Sequence, residues 1–223
     1  MSEKQAHITV LIGSPKGIEK STSGRLAREI TAELETANWT SEWFHAHHVL
    51  KADEAWESLI ASMARSNVIL LAAPLYVDSL PAPVIETLHC LSQAKSALAR
   101  EDTPPRFLAL LNCGFVEPGH NQFAQLMLQS FCERMGFQWA DGISLGGGGM
   151  TKKRVREALQ LTAAALRDDV LIPNAVEVLT RAPIMKPWMY VLGGNIMWKR
   201  QAKANGLQHK QLKARPYELP RAG

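Results

Sequence analysis

The residues best suited to chemistry in this 223-residue chain lie in four short stretches, each following an apolar run. The first is Gly13-Ser14-Pro15-Lys16-Gly17-Ile18-Glu19-Lys20-Ser21-Thr22-Ser23, which leads into a helical pattern. Such a loop attracts a phosphate dianion for two reasons: the N–H groups of the first helical turn point outward, and the helix dipole is positive at that end. The hydroxyls of Ser14, Ser21, Thr22 and Ser23, with Lys16 or Lys20, complete the donor set. The P-loop pattern G-x-x-x-x-G-K-[ST] fails because Glu19 precedes Lys20-Ser21. The dinucleotide fingerprint G-x-G-x-x-G fails because Gly13 and Gly17 are wrongly spaced. A phosphate loop built on serine rather than glycine favours a mononucleotide such as FMN. The plainer alternative is a polar loop whose serine caps the helix.

The second stretch, Pro74-Leu75-Tyr76-Val77-Asp78-Ser79-Leu80-Pro81-Ala82, displays an aromatic and apolar side chains against which a flat ring could rest. Equally, Tyr76 could pack on its own helix. The third, Asn112-Cys113-Gly114-Phe115-Val116-Glu117-Pro118-Gly119-His120-Asn121, allows main-chain groups to approach a ligand edge. Its Cys113 reads as a small residue at the core margin rather than a redox thiol. The fourth, Gly146-Gly147-Gly148-Gly149-Met150, removes every Cβ from one wall of the expected cleft.

Positioning these loops requires five strands, expected at His7–Gly13, Thr40–Val49, Asn67–Ala73, Phe107–Asn112 and Gln138–Leu145. Helices are expected at Ser23–Thr36, Asp53–Arg65 (Asp53 as N-cap), Ala82–Leu98, His120–Met135 closed by Gly136, and Thr151–Leu166 capped by Thr151. Strands that read as unbroken apolar runs, alternating with helices, indicate a doubly wound α/β fold with a parallel sheet. Five such units suit the flavodoxin-like strand order 2-1-3-4-5. Ligands of such sheets bind beyond the carboxyl ends of the strands, where all four loops fall.

At 46% hydrophobic and 21% charged the composition excludes collagen-like, low-complexity and wholly disordered classes. Three widely spaced cysteines, Cys90, Cys113 and Cys132, form neither a disulfide framework nor a metal pair, so a reducing, cytoplasmic setting is expected. The polar start MSEKQA lacks the apolar stretch of a secretory signal. His45, His47 and His48 do not converge on a metal if the segment is a strand, because alternation sends His48 to the opposite face. Lys152-Lys153-Arg154-x-Arg156 opens a helix without interleaved aromatics, a solvated face rather than a nucleic-acid contact.

The sequence Gly-Ser-Pro-Lys with Ser-Thr-Ser after the first strand, and Pro-Leu-Tyr-Val-Asp-Ser-Leu-Pro after the third, resembles the NAD(P)H-dependent FMN reductases of the flavodoxin-like superfamily. The resemblance covers roughly residues 7–166. It implies FMN with its phosphate on Ser14, Ser21, Thr22 and Ser23, aided by Lys16. The isoalloxazine would lie against Pro74, Leu75, Tyr76 and Val77, with its pyrimidine edge at Asn112, Cys113, Gly114 and Phe115. Lys16 replaces the usual arginine, keeping charge without bidentate geometry. The lysine often found early in the third helix is replaced by Ile85-Glu86. The implied activity is an oxidoreductase passing hydride from NADH or NADPH to the flavin and on to a small acceptor: a quinone, nitro or azo compound, flavin or ferric complex. No catalytic side chain and no metal is required. The alternative is a flavodoxin-like electron-transfer or binding module without nicotinamide turnover; a third reading is a flavin-free interaction domain.

The expected division is a body over residues 1–170 and a C-terminal helical extension over 171–223. Residues 174–223 carry nine Lys and Arg against two acidic residues, whereas residues 1–173 carry sixteen against nineteen. The run Pro187–Trp198 is too short to span a bilayer, which needs roughly 20 apolar residues. The apolar segment Ile184–Trp198, followed by basic Lys199-Arg200-Gln201-Ala202-Lys203, reads as an amphipathic helix or helical pair, packing on the body or in a homodimer interface. A membrane-surface role is the less favoured reading.

Overall fold

The computed structural model describes residues 5–100, 103–148, 152–208 and 211–214. Five parallel strands form one sheet: β1 (His7–Ile12), β2 (Thr40–His45), β3 (Val68–Pro74), β4 (Arg106–Asn112) and β5 (Gln138–Leu145). Their order is β2-β1-β3-β4-β5, as the sequence predicts. The helices are α1 (Gly17–Lys20), α2 (Thr22–Thr36), α3 (Ala46–Val49), α4 (Asp53–Arg65), α5 (Ala82–Gln93), α6 (Lys95–Leu98), α7 (Gln122–Met135), α8 (Lys153–Arg167), α9 (Asn174–Arg181) and α10 (Pro187–Ala204).

Strand alternation divides the central side chains between two cores. Ile69, Leu71, Phe107, Ala109 and Leu111 face α4, α5 and α7. Ile8, Val10, Leu70, Leu108 and Leu110 face α2 and α8. On the first face Phe107 meets Phe131, Phe137 and Trp139, with ring centroids 6.1–6.3 Å apart. At the outer edge, the Gly142 amide of β5 is satisfied without a neighbouring strand. Its N–H donates to Asp141 Oδ1 at 2.7 Å, and its carbonyl accepts from Gln125 Nε2. Side chains thus blunt an edge that would otherwise recruit another strand.

Several expected boundaries change for local reasons. The second strand ends at His45, and residues 46–49 turn into α3, burying Ala46 and Val49 three positions apart. Asp53 is the first residue of α4 rather than its cap; Ala52 holds the cap position. The helix expected over 82–98 breaks at Ala94 into α5 and α6, and the one expected from His120 starts with a 3₁₀ turn at Pro118–Asn121. Gly136 closes α7 with φ of 77°, as expected. The α8 cap position is held by Lys152, while Thr151 lies outside the described residues.

Two compact units emerge, residues 1–184 and 185–223, so residues 171–184 belong to the first. There α9 buries Val176 and Thr180, and Ile184 is also buried. The basic run at the start of α8 holds this segment rather than forming a merely solvated face. Arg154 donates to the carbonyls of Ala182 (2.5 Å) and Pro183 (2.8 Å), Lys152 Nζ to that of Ile184, and Arg156 pairs with Glu29 at 3.5 Å. In the second unit α10 is a single helix with apolar residues on all sides of its first three turns, not an amphipathic one.

Candidate functional site: the carboxyl edge of the sheet

The loop after β1 is folded more tightly than a bare phosphate loop. Ser14 is buried, and its Oγ accepts the Lys16 N–H at 3.3 Å. The Ser14 carbonyl accepts from His45 Nε2 at 2.6 Å, so the end of β2 anchors the loop. Ser21 is the N-cap of α2: its Oγ accepts the Gly24 N–H at 2.9 Å, and its hydroxyl donates to the Ile18 carbonyl at 3.4 Å. The Ser23 hydroxyl donates to Asn112 Oδ1 at 2.8 Å, tying this loop to the end of β4.

The hydroxyls of Ser21 and Ser23, expected to face a phosphate, are therefore engaged within the protein. What remains for an anion is the half-buried Thr22, the exposed Lys16 and Lys20, and the first N–H groups of α2, whose first turn holds no acidic residue. Gly24 is essential to this packing, since a Cβ there would fall 1.9 Å from the Ile18 carbonyl oxygen.

After β3 the chain makes a two-residue hairpin. Tyr76 N–H donates to Ser79 O at 3.0 Å, and Ser79 N–H to Tyr76 O at 3.1 Å. The turn residues Val77 (φ 52°) and Asp78 (φ 54°) both take the left-handed conformation that such a turn requires. For a β-branched residue this backbone is strained. Tyr76 is 45% exposed and Val77 entirely so, whereas the Leu75 side chain belongs to the core. Pro74 pairs with Asn112 across β3 and β4.

The loop after β4 is braced by the glycines after β5. Gly147 N–H donates to Phe115 O at 2.5 Å and Gly148 N–H to Cys113 O at 2.9 Å. Those carbonyls are thus occupied rather than offered to a ligand. Gly146 must be glycine, because a Cβ would lie 2.3 Å from Val116 O. Burial raises the pKa of the Cys113 thiol, which donates to the carbonyls of Phe115 (3.7 Å) and Glu117 (3.6 Å). Cys132, on the buried face of α7, is pushed up to about 12 by the same cause. Both stay thiols at neutral pH.

Phe115 is half exposed and stacks on His120, centroids 4.1 Å apart. His120 Nδ1 in turn donates to Asp78 Oδ1 at 3.2 Å. This clasp joins the β3 hairpin to the β4 loop. Neither His120 nor Asp78 stands out in the sequence, since only the fold brings residues 42 positions apart together. His45 is similarly cast: no group of three or more His, Cys, Asp or Glu that could hold a metal occurs among the described residues, and its ring lies edge-on against His47 at 6.2 Å. Its position at the end of a strand beside the first loop is the signal that locates it.

A cavity of about 310 Å³ opens beside the hairpin, lined by Gly13, Pro15, His45, His47, Tyr76 and Pro81 among others. It includes no residue of Asn112–Phe115. A larger one of about 610 Å³ lies along β5 between α7 and α9, away from these loops. The structure therefore brings Ser14, Lys16, Thr22 and Tyr76 to one edge with Gly114 and Phe115. It draws Leu75, Asn112 and Cys113 inward as supports.

No family model and no curated protein matches the sequence. Solved structures do match in fold. An NADH:FMN oxidoreductase in its apo form aligns with TM-score 0.58 at 16% identity, over 83% of this chain and 99% of its own. An FMN-dependent NADH-azoreductase from Bacillus anthracis, in complex with FMN, aligns with TM-score 0.53 at 10% identity, over 72% and 99%. The rubredoxin oxygen:oxidoreductase of Desulfovibrio gigas aligns with TM-score 0.55 at 11% identity; it covers 81% of this chain but only 39% of that larger one. At these identities the similarity establishes the flavodoxin-like fold.

Proposed function

We propose that the protein is an FMN-dependent oxidoreductase that uses NADH or NADPH to reduce a small acceptor. The observation that carries this reading is one edge of a flavodoxin-like sheet. That edge presents the N-terminus of α2, whose first turn holds no acidic residue, next to the exposed rings of Tyr76 and Phe115. The fold shared with an NADH:FMN oxidoreductase and an FMN-dependent NADH-azoreductase supports it.

The donor set fits the cofactor. Thr22, the first N–H groups of α2 and the charges of Lys16 and Lys20 suit a phosphate dianion. Tyr76 and Phe115 offer flat apolar surfaces to a ring. When bound, FMN supplies a two-electron carrier between a nicotinamide and an acceptor such as a quinone, a nitro or azo compound, a flavin or a ferric complex. The chain's own residues then hold and orient. Ser21 and Ser23 fix the phosphate loop from behind, through the α2 cap and the bond to Asn112. The Asp78–His120–Phe115 clasp keeps the β3 and β4 loops in register. No side chain is needed to move a proton to or from the nicotinamide carbon, and Cys113, held as a thiol, takes no redox part.

Anaerobic mixing of the FMN-loaded protein with NADH or NADPH tests this. Loss of the visible flavin absorbance, with recovery on adding a quinone, is expected. A protein that takes up no FMN, or that holds FMN without bleaching under either nucleotide, overturns the proposal.

A further inference from the structure

The second unit carries a surface that the proposed chemistry does not use. No residue of α10 is buried; Trp188 is 62% and Trp198 65% exposed, and Met189, Val191, Leu192, Ile196 and Met197 are exposed as well. These residues do not share a face. At 100° per residue they surround the helix, so one packed neighbour would leave much of the apolar surface wet. The order along the axis is regular. Lys186 and Trp188 stand at one end, Trp198, Lys199 and Arg200 at the other, and no charged residue lies between Lys186 and Lys199.

Aromatic and basic residues at both ends of an apolar segment match the layering of a bilayer boundary, where indole rings occupy the headgroup level and ammonium groups reach the phosphates. The twelve residues between Lys186 and Lys199 extend about 18 Å. That is well short of the roughly 30 Å hydrocarbon core, so both ends meet the headgroups of one leaflet when the helix lies along the interface. Accordingly, no helix among the described residues is long and apolar enough to cross a membrane. Charge selects the lipid. Residues 185–223 hold eight Lys and Arg against the single acid Glu218. A second copy would bring that same positive charge to the contact, whereas an anionic surface neutralises it.

We propose that α10 docks the protein onto an anionic membrane surface, its apolar turns entering one leaflet and Lys199, Arg200 and Lys203 engaging the headgroups. Co-sedimentation of the full-length chain with vesicles of phosphatidylcholine alone, or mixed with phosphatidylglycerol, is the test. Binding to the mixed vesicles only, weakened by added salt, is expected. The triple variant Lys199→Gln, Arg200→Gln, Lys203→Gln should lose about a hundredfold in affinity. The pair Trp188→Ser, Trp198→Ser should lose binding while circular dichroism still reports the folded sheet. Absence of binding to mixed vesicles, or undiminished binding by both variants, overturns the proposal. A stable dimer in solution that Trp188→Ser, Trp198→Ser dissociates, with no vesicle binding by the parent chain, also overturns it and assigns the helix to a second copy.

Discussion

The two ends of the same sheet handle polar groups in opposite ways. At the amino end, side chains turn inward and find partners. His7 bonds Thr40 (2.8 Å) and Ser62 (3.0 Å), Thr9 bonds Ser62 (2.6 Å) and Ser66 (2.5 Å), and Arg106 reaches three oxygens near the end of α8. At the carboxyl end, polar groups brace loops whose remaining surface stays open: a strained hairpin, exposed rings, and Lys16 and Lys20 exposed beside the Ser21-capped start of α2. Of these buried amino-end groups only Arg106 Nε lacks a partner, and that burial holds the fold together, while loops with partly engaged polar groups leave room for a ligand. The two ends should therefore respond differently to substitution: stability alone at one, stability together with ligand binding at the other.

The largest effect is expected at the amino end. Arg106, nearly buried, donates to the carbonyls of Val170 (2.7 Å) and Ala165 (3.3 Å), and to Asp169 Oδ1 at 3.2 Å. Because Asp169 is mostly exposed, the two carbonyls carry most of the worth. Arg106→Met should destabilise by about 3 kcal/mol in urea titration, given the strength of buried charge-assisted bonds. FMN affinity should be unchanged. A loss below about 1 kcal/mol, or an altered affinity, breaks the contrast.

At the carboxyl end Ser21→Ala removes the α2 cap and should cost about 1 kcal/mol. Unlike Arg106→Met, it should also weaken FMN binding about fivefold in a fluorescence titration, because the same helix end bears the anion site. Equal affinity in parent and variant would show that the phosphate lies elsewhere.

The sequence was most informative where periodicity is strict. Runs such as Asn67–Ala73 and Phe107–Asn112 are apolar on both faces, and the fold class and strand order follow from them. It was less informative where one element borrows from another. Ser21 and Ser23 read as free donors because the Gly24 N–H and Asn112 that engage them are visible only in the folded loop. His7 and Thr9 pass as part of an apolar strand because their polar partners lie on other elements, Thr40 on β2 and Ser62 and Ser66 on and just after α4, 33 to 57 residues away. Similarly, α9 reads as extension because only two of its eight residues are buried; its place in the first unit depends on those and on Lys152 and Arg154 gripping residues 182–184. The four-glycine run was a better guide, since Gly146 marks a close backbone approach, whereas Gly24 marks another that only the folded loop reveals.

The hairpin after β3 offers a substitution of opposite sign. Val77 has φ of 52° at full exposure, where its side chain gains nothing from packing. Val77→Asn, suited to that backbone, should stabilise by about 1 kcal/mol. A thermal melt would register it. If FMN affinity also changes, the strained turn is part of the site; if only the melt moves, it is a neutral flaw.

The smallest effect, and the sharpest probe of the amino end, is its response to acid. Burial is the main reason the His7 pKa falls below the ordinary 6.5, with Arg65 adding to it. The unfolded chain therefore binds the proton more readily than the folded one. The stability this ring contributes is present in full above 6.5 and is lost as pH falls through that value toward the folded pKa. One proton limits the slope to about 1.4 kcal/mol per pH unit. Urea midpoints from pH 8 down to 5.5 should fall more steeply for the parent than for His7→Gln, which keeps polar atoms in place without a titrating ring. Parallel curves would mean that the imidazole is hydrated in the folded state, and the amino end would then be as open as the carboxyl end.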